Sequence, residues 1–383
     1  MYNFIFQNPV KIVFGKGQIA RLNQLVPPGA TIMLTYGGGS IKKNGIYDAV
    51  KQALAGFNII EFGGIESNPK YETLVKAIEL GKQKNVNFLL AVGGGSVLDG
   101  TKLIAAALPI PNDPWDIIQN KVKVEIAIPL AVVTTIPATG SEMNERAVIS
   151  RLSTQEKYAF ASPLVMPQFA ILDPEVCYTL PKKQLANGLV DSYIHVMEQY
   201  LTFPVDAMVQ DKFSESLLKI IIEIAPKILD DQTNYDYCAN FMWTSTLALN
   251  GLIGAGVPQD WASHKIGHEL TALHGLDHAQ TLAIILPGVM NIMRESKREK
   301  LEQYGREVWN ITMGSVNERI DKAINKTETF FQQTGLKTHL SDFNIGEDTI
   351  EKIANRFEKR AFQLGEHQNI TPDLIRAILK DRL

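Results

Sequence analysis

Four of the chain's seven histidines fall within Trp261–His278: His264, His268, His274 and His278. His264 and His268 are one helical turn apart. Upstream, Asp191 and His195 repeat that spacing within Ala186–Thr202, where Leu189, Val190, Tyr193, Val196, Met197 and Tyr200 mark a helix. Side chains four apart leave a helix on one face, close enough to share an ion. One aspartate with three histidines gives a mixed oxygen and nitrogen site for a divalent transition ion, Fe²⁺ or Zn²⁺. The spacing alone leaves open which three histidines take part, and His274 also reads as a polar helix terminus. Gly275 is the expected helix end, Asp277 the expected cap of the next helix, and His278 lies in its first turn. His339 and His367 stand alone and read as ordinary hydrogen-bonded side chains.

A second chemistry is written in three turns that follow strand-like runs. The first is Gly37, Gly38, Gly39 and Ser40, leading into a predicted helix with Lys42 and Lys43. The second is Gly93, Gly94, Gly95 and Ser96, leading into a helix with Asp99 and Lys102. The third, Thr134 to Glu142, carries Thr135, Thr139, Gly140 and Ser141. Glycine lets backbone approach a ligand with no Cβ in the way, and a helix N-terminus presents free N–H groups to phosphate. One such turn serves strand–helix geometry as readily as it serves a ligand. Three together point to a dinucleotide, although the strict G-x-G-x-x-G fingerprint of the ordinary Rossmann fold is absent.

The elements that must position these residues divide the chain in two. Runs at Thr31–Thr35, Asn58–Phe62, Asn87–Val92, Ile126–Thr134 and Phe169–Leu172 alternate with helical patterns such as Tyr71–Lys84. Strands apolar on both faces and joined by helices predict a parallel, Rossmann-like sheet. Phe4 to Phe14 reads as a strand pair turning at Asn8-Pro9. Beyond Leu180 nearly everything has helical periodicity. The expected organisation is therefore an α/β dinucleotide-binding domain over 1–180 and an all-helical metal-binding and substrate domain over 181–383, each of ordinary domain size.

A net charge of −3 and a pI near 6.2 offer nucleic acid no basic surface. The Arg294–Lys300 stretch alternates with Glu295 and Glu299 and reads as a solvated helix face. Apolar runs such as Ile126–Val133, interrupted by Pro129, are too short to cross a bilayer. The amino terminus lacks the pattern of a secretory signal, and the two cysteines, Cys177 and Cys238, lack metal or disulfide spacing. The expectation is a cytoplasmic protein.

The residues named so far match a known pattern. The GGGS-x-x-D-x-x-K turn (Gly93 to Lys102), the TT-x-P-A-T-G-S-E segment (Thr134 to Glu142), the Asp191/His195 helix and the His264, His268, His278 spacing resemble the iron-containing, or group III, alcohol dehydrogenases. The similarity runs from Pro9 to the carboxyl terminus. Asn250–Asp260 and Gly267–Gln280 bring it nearest the NADPH-dependent aldehyde reductase and butanol dehydrogenase branch. The resemblance implies a dehydroquinate synthase-like fold and a homodimer. It implies metal ligation by Asp191, His195, His264 and His278, with His268 in proton relay and nicotinamide contact. Asp99 matches a carboxylate near the cofactor's ribose and nicotinamide end. Gly37, Gly38, Gly39, Ser40, Gly94, Gly95, Ser96, Thr135, Thr139 and Lys157 match cofactor-contact positions. Ala279 departs from the glycine found in many relatives and leaves the ligand pattern intact.

The first turn has no aspartate to repel a 2′-phosphate, and Lys42 and Lys43 supply charge, so NADP(H) is favoured over NAD(H). The implied reaction is reversible hydride transfer between nicotinamide and a carbonyl carbon. Small neutral aldehydes and primary alcohols are the expected substrates, since no arginine clamp for a carboxylate is evident. Ser141, Met143, Asn144 and Trp261 are expected to line the pocket. The nearest rivals are an NAD-dependent polyol dehydrogenase and a lyase of the dehydroquinate synthase type, whose acidic substrate would need more basic residues than Lys265 near His264. A metallohydrolase would leave the three turns without a role.

Overall fold

A computed structural model describes all residues, Met1–Leu383. It contains eight strands: β1 (Lys11–Phe14), β2 (Thr31–Tyr36), β3 (Asn58–Phe62), β4 (Phe88–Gly93), β5 (Leu130–Thr134), β6 (Arg146–Arg151), β7 (Glu156–Ala161) and β8 (Phe169–Leu172). Among them run α1 (Leu22–Leu25), α2 (Ile46–Ala53), α3 (Tyr71–Gln83), α4 (Gly95–Ala107) and α5 (Pro114–Ile118). The remainder is helical: α6 (Lys182–Tyr200), α7 (Met208–Asp230), α8 (Tyr235–Ala248), α9 (Ala262–His274), α10 (His278–Ile292), α11 (Arg298–Trp309), α12 (Val316–Gln333), α13 (Glu347–Lys359) and α14 (Pro372–Asp381).

Two compact units emerge, neither of them one continuous stretch. The sheet unit is Gln7–Pro181 with Gln232–Thr246, and the helical unit is Met1–Phe6, Lys182–Asp231 and Leu247–Leu383. The chain thus returns to the sheet unit after α7, which a single boundary near residue 180 does not anticipate. Most of α8 is fixed there by side chains rather than by sequence neighbours. Thr246 donates to the Glu142 carboxylate at 2.6 Å, and Trp243 meets Phe14 edge-on.

In the sheet unit six strands form a parallel sheet in the order β1-β8-β5-β4-β2-β3. Every residue of β4, β5 and β8 is buried, as their unbroken apolar sequences require. The sheet grows one way from β2 to β3 and the other way from β4 through β5 and β8 to β1. The direction reverses between β2 and β4, and in open α/β sheets ligands bind outside the carboxyl ends of the strands at that point. This parallel α/β unit with an all-helical partner is the dehydroquinate synthase-like arrangement.

Several expectations are corrected. Met1–Val10 forms no strand, so there is no N-terminal strand pair; β1 is a single edge strand parallel to β8. β5 begins at Leu130, because Pro129 has no N–H to give the ladder. The first glycine turn opens a single 3₁₀ turn, Ser40–Lys42, behind Gly39 in the left-handed region, and α2 starts only at Ile46. The antiparallel hairpin β6–β7 was not foreseen.

Arg294–Lys300 is only in part a solvated face. Lys297 and Lys300 are 3% and 4% exposed, and Lys300 pairs with Asp211 at 2.5 Å beneath the ring of Tyr200. No helix is long and apolar enough to cross a membrane.

Candidate metal and dinucleotide sites

In the sheet unit the first two turns flank the switch point, Gly37–Ser40 after β2 and Gly94–Ser96 after β4. The third follows β5 beside them: the Thr135 N–H donates to the Gly93 carbonyl at 2.9 Å, and a Cβ on Gly95 would overlap the Thr139 side chain. Thr139 Oγ1 accepts from the Ser141 N–H at 3.3 Å, and Ser96 Oγ accepts from the Asn68 N–H at 3.1 Å. Lys157, on β7, donates to Asn68 Oδ1 at 2.8 Å. The hairpin therefore places Lys157 beside the second turn, a link invisible without β6–β7.

At the first turn Lys42 is held rather than freely solvated. Its Nζ lies over the rings of Tyr36 and Tyr47 and 3.9 Å from Glu61. Glu61 also accepts from Tyr47 at 2.6 Å and from Lys51 at 3.2 Å. Burial opposes the Glu61 charge, but these donors outweigh it and hold its pKa below the ordinary value.

Lys102, the last residue of the GGGS-x-x-D-x-x-K turn, has a set of partners that its motif does not announce. It is fully buried in α4, and its ammonium donates to Ser141 Oγ (2.9 Å), Asn144 O (2.9 Å), Asn144 Oδ1 (3.0 Å) and Arg146 O (2.8 Å). Asp99, one turn earlier, accepts from Ser141 Oγ at 2.7 Å and from the Val148 N–H at 2.9 Å. Burial raises the Asp99 pKa against the pull of Lys102 and lowers that of Lys102 to about 8 against Asp99, Glu142 and Glu145. Ser141 and Asn144 are both buried and are tied into this network. Lys102→Met strands these acceptors and is expected to cost about 3 kcal/mol of stability, read as a lower urea midpoint.

In the helical unit α6 and α9 bring their polar faces together. Donor atoms of Asp191, His195 and His264, all buried, lie within 4.8 Å of one another. Asp191 Oδ1 is buried and receives no hydrogen bond; it stands 3.6 Å from His195 Nε2 and 3.8 Å from His278 Nε2. These separations are long for hydrogen bonds but suit two ligands ~2.1 Å from one ion, which stand ~3.4 Å apart at a tetrahedral angle. The His264 and His278 rings are 5.1 Å apart, and His268 is 5.4 Å from His278. The donor set therefore fits a divalent ion.

The local sequence explains the convergence. A Cβ at Gly267 would meet Thr281 Oγ1 at 2.8 Å, so glycine lets α9 approach α10 closely. Gly275 ends α9 in the left-handed region and turns the chain into α10, which starts at His278. Asp277 occupies the N-cap position without capping; its carboxylate pairs with Lys183 at 2.6 Å. His274 points elsewhere, to Thr349 Oγ1 at 3.0 Å on α13, and burial lowers its pKa. His339 lies 3.7 Å from Glu328, and His367 stacks on Phe203.

One further acidic group was missed. Glu198 is buried, hydrogen-bonded to His264 Nδ1, and accepts from the Ser263 N–H at 2.6 Å. Burial and then Asp260 raise its pKa well above the ordinary value. When ionised, Glu198 accepts from Nδ1–H, the tautomer in which Nε2 carries no proton and can ligate. The signal was present: Asp191, His195 and Glu198 follow at i, i+4 and i+7 along one helical stripe. Trp261 stands beside the group, its ring 5.2 Å from that of His264.

A metal-capable Asp/His₃ group and a parallel sheet with phosphate-type turns at its switch point together define a class, the metal-dependent dinucleotide enzymes. Comparison with known proteins narrows this. Residues 9–174 match the family described as iron-containing alcohol dehydrogenase, and residues 185–383 match the C-terminal part of the Fe-containing alcohol dehydrogenase family. The chain belongs to the iron-containing alcohol dehydrogenase family.

It is 56% identical over 382 residues to the NADPH-dependent aldehyde reductase YqhD of Escherichia coli, covering 99% of each chain. It is 39% identical over 388 residues to the probable NADH-dependent butanol dehydrogenase 1 of Bacillus subtilis, covering 100% of each. A crystal structure of E. coli YqhD superposes with a TM-score of 0.98 at 54% identity, covering 100% of this chain and 99% of that one. Butanol dehydrogenase A of Thermotoga maritima superposes at 0.96 with 33% identity, covering 100% and 99%.

Proposed function

We propose that this protein is an NADP(H)-linked, metal-dependent alcohol dehydrogenase acting as an aldehyde reductase on small neutral aldehydes and their primary alcohols. The observation that carries the reading is the buried Asp191 oxygen 3.6 and 3.8 Å from two imidazoles, with His264 beside them. Asp191, His195, His264 and His278 would hold the ion, Fe²⁺ or Zn²⁺. Such an ion supplies Lewis acidity to a carbonyl oxygen. Glu198 keeps His264 Nδ1 protonated and its ring oriented. His268, whose ring is 5.4 Å from that of His278, would pass a proton between substrate and solvent.

The turns at Gly37–Ser40, Gly94–Ser96 and Thr135–Thr139 would cradle the dinucleotide, with Asp99 and Lys157 near its ribose. Lys42, above two tyrosines and 3.9 Å from Glu61, would turn to a 2′-phosphate, in keeping with the NADPH dependence named for the 56% identical relative. The B. subtilis relative is named for NADH, so the preference is a property to be measured on this chain. Steady-state oxidation of NADPH and NADH with butanal tests the reading. NADPH is expected to give a kcat/KM at least about tenfold higher, a difference of about 1.4 kcal/mol. Equal or better use of NADH overturns the preference, and no turnover with either overturns the reductase reading.

His268→Ala separates proton delivery from metal holding. Metal content should stay near that of the unsubstituted enzyme while kcat falls about 100-fold or more. Metal loss as large as that caused by His264→Ala would contradict the assigned role.

The protein is further read as a cytoplasmic homodimer. Both cysteines are buried and form no disulfide. Tyr2 is tied to Gly256 at 2.8 Å and Gln210 to Ala255 at 2.9 Å, which brings together exposed Phe4, Ile5, Phe6, Met208, Val209 and Phe213. Exposed apolar side chains on these neighbouring segments support burial against a second copy.

A further inference from the structure

Lys297 lies in the charged stretch that reads as solvent-facing, yet it is buried and spends its ammonium on three separate segments. Its Nζ donates to the Leu201 carbonyl at 2.8 Å, just past the carboxyl end of α6. It pairs with Asp260 Oδ2 at 2.9 Å and with both Glu366 oxygens at 2.8 Å. Asp260 in turn accepts from the Ala262 N–H at 2.8 Å through Oδ1, in the turn that leads into α9, and its own N–H donates to the Glu198 carbonyl at 2.8 Å. Helix α6 carries Asp191 and His195, and α9 carries His264 and His268. One buried cation thus joins the end of the first helix to the beginning of the second.

We propose that Lys297 is a positioning residue for the metal centre, fixing the separation of α6 and α9 through Leu201 and Asp260 with Glu366 as its outer anchor. It touches none of the four candidate ligands and acts on them only through the two helices. A metal site tolerates little error: ligands shifted by a few tenths of an ångström leave the bonding range, and partners behind the ligands typically set affinity by about 10–100-fold. Two opposing carboxylates suit the task. Burial disfavours the Lys297 charge, but Asp260 and Glu366 outweigh it and hold its pKa above the ordinary lysine value, so the clamp stays charged. A neutral side chain of the same length would leave two buried carboxylates facing each other and release both helix ends.

The proposal rests on the metal-site reading, and the test separates the two. Zinc affinity is measured on stripped protein by competition with a chromogenic chelator, alongside thermal midpoint and NADPH binding by fluorescence. The unsubstituted protein should bind about one equivalent; failure to do so refutes the site itself. Lys297→Met is expected to weaken zinc binding about 10–100-fold while NADPH affinity stays within about twofold.

Lys300→Met is the control. It removes an equally buried ammonium, paired with Asp211 of α7, and should lower the thermal midpoint without changing zinc affinity. Should Lys297→Met fail to fold, Glu366→Gln removes only the outer anchor and should weaken zinc about 3–10-fold, a milder form of the same loss. Zinc affinity unchanged in the folded Lys297 or Glu366 variant, or weakened equally by Lys300→Met, overturns the clamp.

Discussion

Asp191→Ala is expected to leave a folded protein that purifies without its metal and reduces butanal at least about 1000-fold more slowly. Asp191 is the one carboxylate in the candidate donor set, buried, with its free oxygen facing two imidazoles. Apparent binding energies of ~10–16 kcal/mol for tetrahedral zinc, shared evenly among four ligands, come to about 2.5–4 kcal/mol each, roughly 100–1000-fold in affinity. Loss of catalysis compounds loss of binding, because an ion held by three neutral histidines is also misplaced for its work as a Lewis acid. Metal analysis and steady-state rates check this directly. Folding should be preserved, since the substitution removes a buried charge rather than a packed apolar group. Full metal occupancy in the variant would remove Asp191 from the ligand set.

Gly95→Ala is expected to do the reverse, sparing the metal and damaging cofactor binding. The added Cβ would overlap the Thr139 side chain, and Thr139 is a short residue near its own backbone. The segment after β5 must then move away from the start of α4. Overpacking of this kind costs ~1–3 kcal/mol, and if that cost falls on the bound state, KM for NADPH rises about 10–100-fold. Metal content should not change, because every candidate ligand lies in the other compact unit. An unchanged KM for NADPH in a folded Gly95→Ala protein would mean that these turns meet for structural reasons only.

Much of this architecture is legible from local pattern. β3 and β8 fall where the apolar runs place them, and α3 ends one residue short of the expected Lys84. The pairs Asp191/His195 and His264/His268 announce themselves because four-residue spacing is a property of the helix alone. What escapes is decided by partners distant in sequence. The β6–β7 hairpin turns through Leu152–Gln155 without an Asn-Gly or Asp-Gly signal, and only the buried Ala147, Ile149 and Phe160 reveal its inner face. Lys102 sits in a helix otherwise buried nearly all round, where a charge signals a polar partner; those partners lie some forty residues on, at Ser141 to Arg146. Lys297 is hidden by its neighbours, because Arg294, Glu295 and Arg298 do behave as an exposed charged surface while it turns inward. The expected capping by Asp277 fails for the same reason: Lys183, ninety-four residues upstream, takes its carboxylate.

The proposed function requires both a bound divalent metal and a dinucleotide. The most direct measurement is NADPH oxidation with butanal on protein stripped of metal and then titrated with Fe²⁺ or Zn²⁺. The expected result is negligible oxidation when stripped and recovery that saturates near one equivalent of one of these ions. Full activity in the stripped protein, or none with either ion, would contradict it.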